Sequence, residues 1–381
     1  MHYDMLIKAG HLLDPARRIN QIGNIAIHGD RVFLIDNNSD CKATQIIDAQ
    51  GCYVMPGLID FHTHVFYKGT ENSIPPDVGM LPCGVTTVVD GGSAGTANYE
   101  AFHHSVISNS VVRICSFLNV SSTGQVTMKY HENLNPQYYD TDKIRYLFKK
   151  YRGSLIGIKL RQSKEIVNDL GLEPLKATLE IANDILCPIM VHATNPPGNT
   201  SELVELLRAG DVFTHVYHDT GSTILNNEGK VDDSIKKARA RGVLFDTGNG
   251  RTNFAFSTAL MAMEDNFAPD IISSDITVMT LYQQPAYGLP FLMSKHLAMG
   301  MSLYDVVAAC TSTPAQQIGM LGEIGTLSNE ACADIAIFQL EDKEVCFYDF
   351  KGRSIIGQQV LIPQVTIRGG RIVYKDIRFG L

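Results

Sequence analysis

Apolar positions along this chain fall into two textures. Over residues 1–55, and again over 328–381, they come as short runs separated by tight turns, with no helical period. Met5–Lys8 leads to Gly10, Asn24–His28 precedes the turn Gly29-Asp30, and Arg31–Ile35 follows. The far end reads alike: Ala333–Phe338, Val345–Tyr348, then Val365–Tyr374 as a hairpin around Gly369-Gly370. Two β-rich ends flanking a different middle predict one small discontinuous β domain, since chain termini commonly lie near each other.

Residues 56–327 alternate instead. Strand-like apolar runs occur at Gly57–His62, Val85–Asp90, Val112–Val120, Leu155–Leu160, Ile185–His192, Val212–His215, Val243–Asp246 and Ile271–Asp275. Helical stretches lie between them, such as Leu172–Asn183 with Pro174 in its first turn, and Ser234–Arg241 closed by Gly242. Strands alternating with helices imply a parallel sheet. Eight units over this length predict a (β/α)8 TIM barrel. A doubly wound open sheet is the alternative, disfavoured in its dinucleotide-binding form because no Gly-x-Gly-x-x-Gly follows the first strand.

Barrel chemistry sits at the C-terminal ends of the strands. The first expected strand ends in His62-Thr-His64, and residues two apart on a strand share a face, so both imidazoles aim at one point. The fourth carries Lys159 inside an apolar run. The fifth ends in His192, the sixth in His215, and the eighth in Asp275. Five of eight ends thus carry metal or proton chemistry, a coincidence that isolated structural residues do not explain. Lys159 is the odd member, because burial disfavours an ammonium and metal ions repel it. His218 competes with His215 as the sixth-strand ligand; His215 is favoured because it directly ends the apolar run. His103, His104 and His131 are expected to be structural or exposed.

Composition narrows the class. The chain of 381 residues is 45% hydrophobic and 19% charged with a net charge of −8, and it has no long basic tract. This argues for a folded, soluble chain and against nucleic acid or an anionic membrane as partner. The first residues show no basic-then-apolar leader, and no run of eighteen apolar residues occurs. Eight scattered cysteines without Cys-x-x-Cys are expected as free, mostly buried thiols in a reducing cytoplasm.

The strand-end set resembles the amidohydrolase superfamily, in particular its members with two divalent metals and a carboxylated lysine. The likeness extends to Pro56-Gly-Leu-Ile-Asp-Phe-His-Thr-His64, to Thr311-x-x-Pro314-Ala315, and to Gly325-Thr-Leu followed by Ala333-Asp334-Ile. In that family the β-rich ends form a small β-sandwich, and barrels often associate into oligomers. The resemblance implies two ions, with zinc as the expected metal. His62, His64 and Asp275 would hold one and His192 and His215 the other, with Lys159 bridging both as a carbamate formed with carbon dioxide. It further implies a metal-bridging hydroxide that attacks an amide or ester carbonyl, with Asp275 shuttling the proton to the leaving group.

Substrate selection is expected from rim loops. Arg161 shares the Lys159 side of its strand and offers a carboxylate anchor or makes an ordinary ion pair. Asn249 and Arg251 lie in the polar loop after strand seven; His218, Asn195 and Tyr282 are further rim candidates. Gly157-Ile-Lys-Leu-Arg161 and Leu289-Pro-x-x-Met-Ser-Lys-His296 look like a bacterial amidohydrolase/deacetylase branch, often filed under dihydroorotase or adenine deaminase. That branch usually reads Gly-His-Gly followed by Ser-Phe, where this chain has Gly248-Asn249-Gly250 and Asn253-Phe254. The departure bears on substrate, not on metal chemistry. The expected reaction is deacylation of a small N-acyl or O-acyl substrate. The alternatives are cyclic-amide hydrolysis of the dihydroorotase or hydantoinase kind, and aminopurine deamination. A non-catalytic binding relative would typically have lost ligands, and this chain keeps all six.

Overall fold

The computed structural model describes residues 2–35 and 41–380; Met1, residues 36–40 and Leu381 lie outside it. Seven strands form one parallel sheet in chain order: Leu58–Thr63, Val85–Asp90, Arg113–Asn119, Leu155–Arg161, Ile189–His192, Val212–Thr214 and Leu244–Asp246. These runs are apolar on both faces and almost wholly buried, as strands covered on both sides must be. The apolar run Ile185–His192 is not all strand. Ile185 instead ends the helix Glu173–Asp184, and Leu186 turns through φ 55°. Cys187 N–H then donates to the Ala182 carbonyl before the strand begins at Ile189.

The eighth expected strand, Ile271–Asp275, makes no regular ladder. It touches both edges of the sheet through isolated parallel bridges, Ile271 to Asp246 and Ile276 to Thr63. Asp275 N–H donates to the His62 carbonyl at 2.7 Å and Asn249 N–H to the Ser273 carbonyl at 3.1 Å. Asp275 itself sits at φ 48°, a left-handed conformation that breaks a strand and turns its side chain inward.

Helices return the chain between strands, with their signals where the sequence puts them. Glu173–Asp184 has proline in its first turn, and Asp233–Ala240 is capped by Asp232 and followed by Gly242 at φ 100°. No helix among the described residues is long and apolar enough to cross a membrane.

Both chain ends build a second, mixed sheet of eight strands. Its order is Arg371–Lys375, Ser354–Arg368, Ile335–Tyr348, Tyr53–Pro56, His2–Asp14, Ile19–His28 and Arg31–Ile35, with Lys42–Asp48 paired beside His2–Asp14. The expected sandwich is, in its hydrogen bonding, one continuous sheet. Tyr53–Pro56 pairs parallel with His2–Asp14 on one side and antiparallel with Ile335–Tyr348 on the other, joining the N-terminal half to the C-terminal half. A core of Ile7, Ile25, Ile27, Val54, Ile335 and Ile367 belongs to this sheet alone. All eight cysteines are free.

Candidate active site

The sheet's C-terminal edge gathers the strand-end residues around a cavity of about 240 Å³, lined by His62, His64, Lys159, Arg161, His192, Arg251, Asn253 and Asp275 among others. One ligand atom each from His62, His64 and Asp275 lies within 4.8 Å of the other two, close enough for a single ion. Asp275 Oδ1 stands 3.2 Å from His64 Nε2 and 3.6 Å from His62 Nε2. Lys159 Nζ is 3.0 Å from His62 Nε2. The His215 ring lies 4.3 Å from that of His192 and 5.3 Å from that of His62, centre to centre.

Hydrogen bonds behind the histidines fix which nitrogen faces the centre. The Ser93 hydroxyl donates to Asp90 at 2.8 Å, so toward His64 Nδ1, 2.8 Å away, its oxygen accepts. The Thr214 hydroxyl donates to Asp246 at 2.6 Å and therefore accepts from His62 Nδ1 at 3.0 Å. His215 Nδ1 faces the Gly248 carbonyl at 2.6 Å, which can only accept. In each neutral imidazole the proton is held on Nδ1 and Nε2 keeps a lone pair. His215 Nε2 is buried without a hydrogen-bond partner among the described residues. Among the described residues His62, His64 and Asp275 are the set whose ligand atoms meet at one point, and two imidazole lone pairs with a carboxylate suit a divalent cation; the His215 ring lies beside them.

Electrostatics agree. Burial, followed by the Lys159 charge, holds His62 well below the usual imidazole range. Burial and then His215 do the same to His192, and burial pushes His215 down to about 3. These rings stay neutral, as ligands must. Burial also lowers Lys159 to about 8, against the opposing pull of Asp275 and Asp246. Burial works to raise the Asp275 carboxyl, and the neighbouring His62, His64 and His215 pull it down. His215 at φ 69° and Asp275 at φ 48° are both left-handed, so local strain marks two of the convergent residues. Glycines make room: a Cβ at Gly91 would strike His62, and one at Gly250 would strike Asp275.

The remaining sequence candidates divide. Arg161 lines the cavity but donates to the buried Glu132 at 2.9 Å, and Arg251 reaches the rim beside Met279. Four stand apart from the cavity lining. His218 is wholly buried three residues past His215. Asn195 donates to Glu165 at 3.0 Å, Asn249 is buried against Lys295, and the Tyr282 hydroxyl turns to the Val78 carbonyl. Asn253, which the sequence marked as a departure from the branch's Ser-Phe but did not offer as a site residue, donates to Asp275 Oδ2 at 3.2 Å and accepts from Thr194 at 3.1 Å.

The sequence model of the Amidohydrolase family matches residues 53–373. The chain belongs to the amidohydrolase family. A deacetylase of Agrobacterium fabrum is 32% identical over 332 residues, covering 87% of this chain and 81% of that protein. Two solved structures overlay nearly the whole chain. One is titled an adenine deaminase, with a TM-score of 0.91, 28% identity and coverage of 98% and 100% of the two chains. The other is titled a dihydroorotase, with a TM-score of 0.89, 30% identity and 98% coverage of each. These fold neighbours imply a TIM barrel, and membership of this metal-dependent family makes the chain a hydrolase acting on non-peptide carbon–nitrogen bonds.

Proposed function

We propose that this amidohydrolase is a binuclear metalloenzyme that deacylates a small N-acyl or O-acyl substrate. The observation that carries the reading is the meeting of the His62 and His64 Nε2 lone pairs, each fixed by a hydrogen bond behind its ring, with Asp275, next to Lys159 and to the paired rings of His192 and His215. The names of relatives as deacetylases favour acyl transfer to water. In this reading residues 56–327 form the eight-unit catalytic barrel, and 1–55 with 328–381 form the accessory β domain.

His62, His64 and Asp275 would hold one ion and His192 with His215 the other, with zinc as the expected metal. When bound, the ions supply Lewis acidity, polarising a carbonyl and lowering the pKa of water toward neutrality. The chain's own groups do the rest. Lys159, which burial lowers to about 8, would react as its free amine with carbon dioxide, the nitrogen forming the carbamate bond and losing a proton, and the carbamate oxygens would serve as metal ligands. Asp275, its Oδ2 steadied by Asn253, would take the proton of the attacking water at a carboxylate oxygen and pass it to the leaving group. Arg161 and Arg251 present guanidinium groups to a substrate carboxylate, while Met128 and Met279 line the cavity with apolar surface.

A second reading is favoured by the two solved structures: cyclic-amide hydrolysis or aminopurine deamination on the same centre. A panel of N-acetyl amino acids, acyl hydroxy acids, dihydroorotate, hydantoins and adenine separates them, with hydrolysis confined to the acyl compounds as the expected result. Metal analysis of protein purified with zinc and bicarbonate should give close to two ions per chain and a carboxyl-group mass increment on Lys159. One ion or none would end the binuclear reading.

A further inference from the structure

Lys295 lies in the helix Leu289–Ala298 and is wholly buried. It does not line the active-site cavity, and among the described residues no carboxylate hydrogen-bonds its amino group. Burial holds it well below the usual lysine range, and the counter-charge it feels is Asp349. That carboxylate is itself engaged by the backbone N–H groups of Phe256, Lys351 and Arg353. A buried amine without a charged mate is costly, and such groups persist where something else depends on them.

Lys295 touches one loop at both of its ends. Nζ donates to Asn249 Oδ1 at 2.9 Å and sits 3.6 Å from the centre of the Phe254 ring. A longer bond of 3.4 Å reaches the Tyr348 carbonyl in the terminal sheet. Asn249 passes the constraint on, since its Nδ2 donates to the Gly250 carbonyl and its backbone N–H to that of Ser273. Residues 249 and 254 bracket Arg251, Thr252 and Asn253, which face the cavity, and Asn253 bonds Asp275.

We propose that Lys295 is a positioning residue that clamps the 248–254 loop at both ends and so aligns Arg251 and Asn253 with the reacting centre. Asn249, expected from the sequence to meet substrate, serves as the clamp's acceptor. In either protonation state the Lys295 nitrogen donates to it. The catalytic consequence rests on the functional reading above; the structural one does not.

The test compares Lys295→Met, Asn249→Ala and their combination in the full-length, zinc-loaded protein. Hydrogen exchange read by mass spectrometry reports the loop, and turnover of an N-acetyl amino acid panel with p-nitrophenyl acetate reports the site. Each single change should speed exchange of the 248–254 amides about tenfold while the barrel strands keep their protection. On p-nitrophenyl acetate each should lower kcat about tenfold or more with KM within about twofold, as misplacement of reacting groups does, and on N-acetyl amino acids, whose carboxylate Arg251 would meet, KM should rise as well. The double variant should be no worse than either single one, because both remove one link. Unchanged loop exchange in Asn249→Ala, or exchange raised evenly across the barrel, overturns the clamp. Wild-type inactivity on every acyl probe would count against the functional reading alone, because the exchange data decide the clamp without it.

Discussion

The Ser93 hydroxyl lies 2.8 Å from His64 Nδ1 and delivers its own proton to Asp90, which also accepts from the backbone N–H groups of Ser93 and Val65. Asp90 thus sets the direction of every bond in the chain that ends at His64 Nε2. Ser93→Ala removes the oxygen that holds the Nδ1 proton and frees the ring to take the wrong tautomer. Metal affinity should fall about 10- to 100-fold, the usual effect of losing a partner behind a ligand. Competition against a chromogenic chelator reads this directly, and affinity within twofold of wild type would show that ring packing alone orients His64.

Asp275→Asn keeps the shape of the side chain and its contact with Asn253 but removes the proton-accepting carboxylate. Turnover should drop by about two to four orders of magnitude, the range of general acid–base catalysis. Much of the metal should stay, since the histidines remain. Near-normal kcat would remove Asp275 from the proton path, and complete metal loss would make it chiefly a ligand.

Arg161 carries two roles that a single substitution confounds. Glu132 is almost wholly buried and Arg161 is its salt-bridge partner, so Arg161→Ala strands a carboxylate. That should cost about 3 kcal/mol in urea unfolding, at the low end for a broken buried pair because Arg161 keeps some exposure to the cavity. Arg161→Met with Glu132→Met leaves no stranded charge. In that pair a substrate-anchoring role shows as a raised KM for carboxylate substrates only. A KM equally unchanged for charged and neutral acyl substrates would reduce Arg161 to an ion pair.

The gathering of six strand-end residues was legible because barrel strands are short apolar runs and their ends can be read directly; His62, His64, Lys159, His192, His215 and Asp275 all end or interrupt such runs. The residues behind them were not. Ser93, Thr214 and Asp246 are common residue types whose roles come from distant segments meeting. The Thr214 bond to His62 spans 152 positions and the Lys295 bond to Asn249 spans 46. The same limit explains Ile271–Asp275, whose apolar run reads as a strand although the left-handed turn at Asp275 breaks it. Where two segments compete for one apolar stretch, as at Ile185–Pro188, periodicity alone cannot divide helix end from strand start.

His296, next to Lys295, gives a pH dependence separable from the metal centre. Burial is the main cause that pushes it down to about 4; its hydrogen bond to the Leu292 carbonyl pulls the other way. Nε2 has no partner. An unfolded histidine protonates near pH 6.5, so between about 6.5 and 4 the unfolded chain binds a proton that the native fold refuses. Stability is therefore unaffected by this group above about pH 6.5 and falls as pH drops toward 4, with a slope of about 1.4 kcal/mol per pH unit for the one proton. His296→Phe keeps an aromatic ring against Phe254 and removes the titration. Urea unfolding across pH 4 to 7 should be shallower for the variant than for wild type by that slope, in protein loaded with metal throughout. Parallel curves would mean that His296 is already protonated in the fold, with water or a neighbouring group meeting its charge.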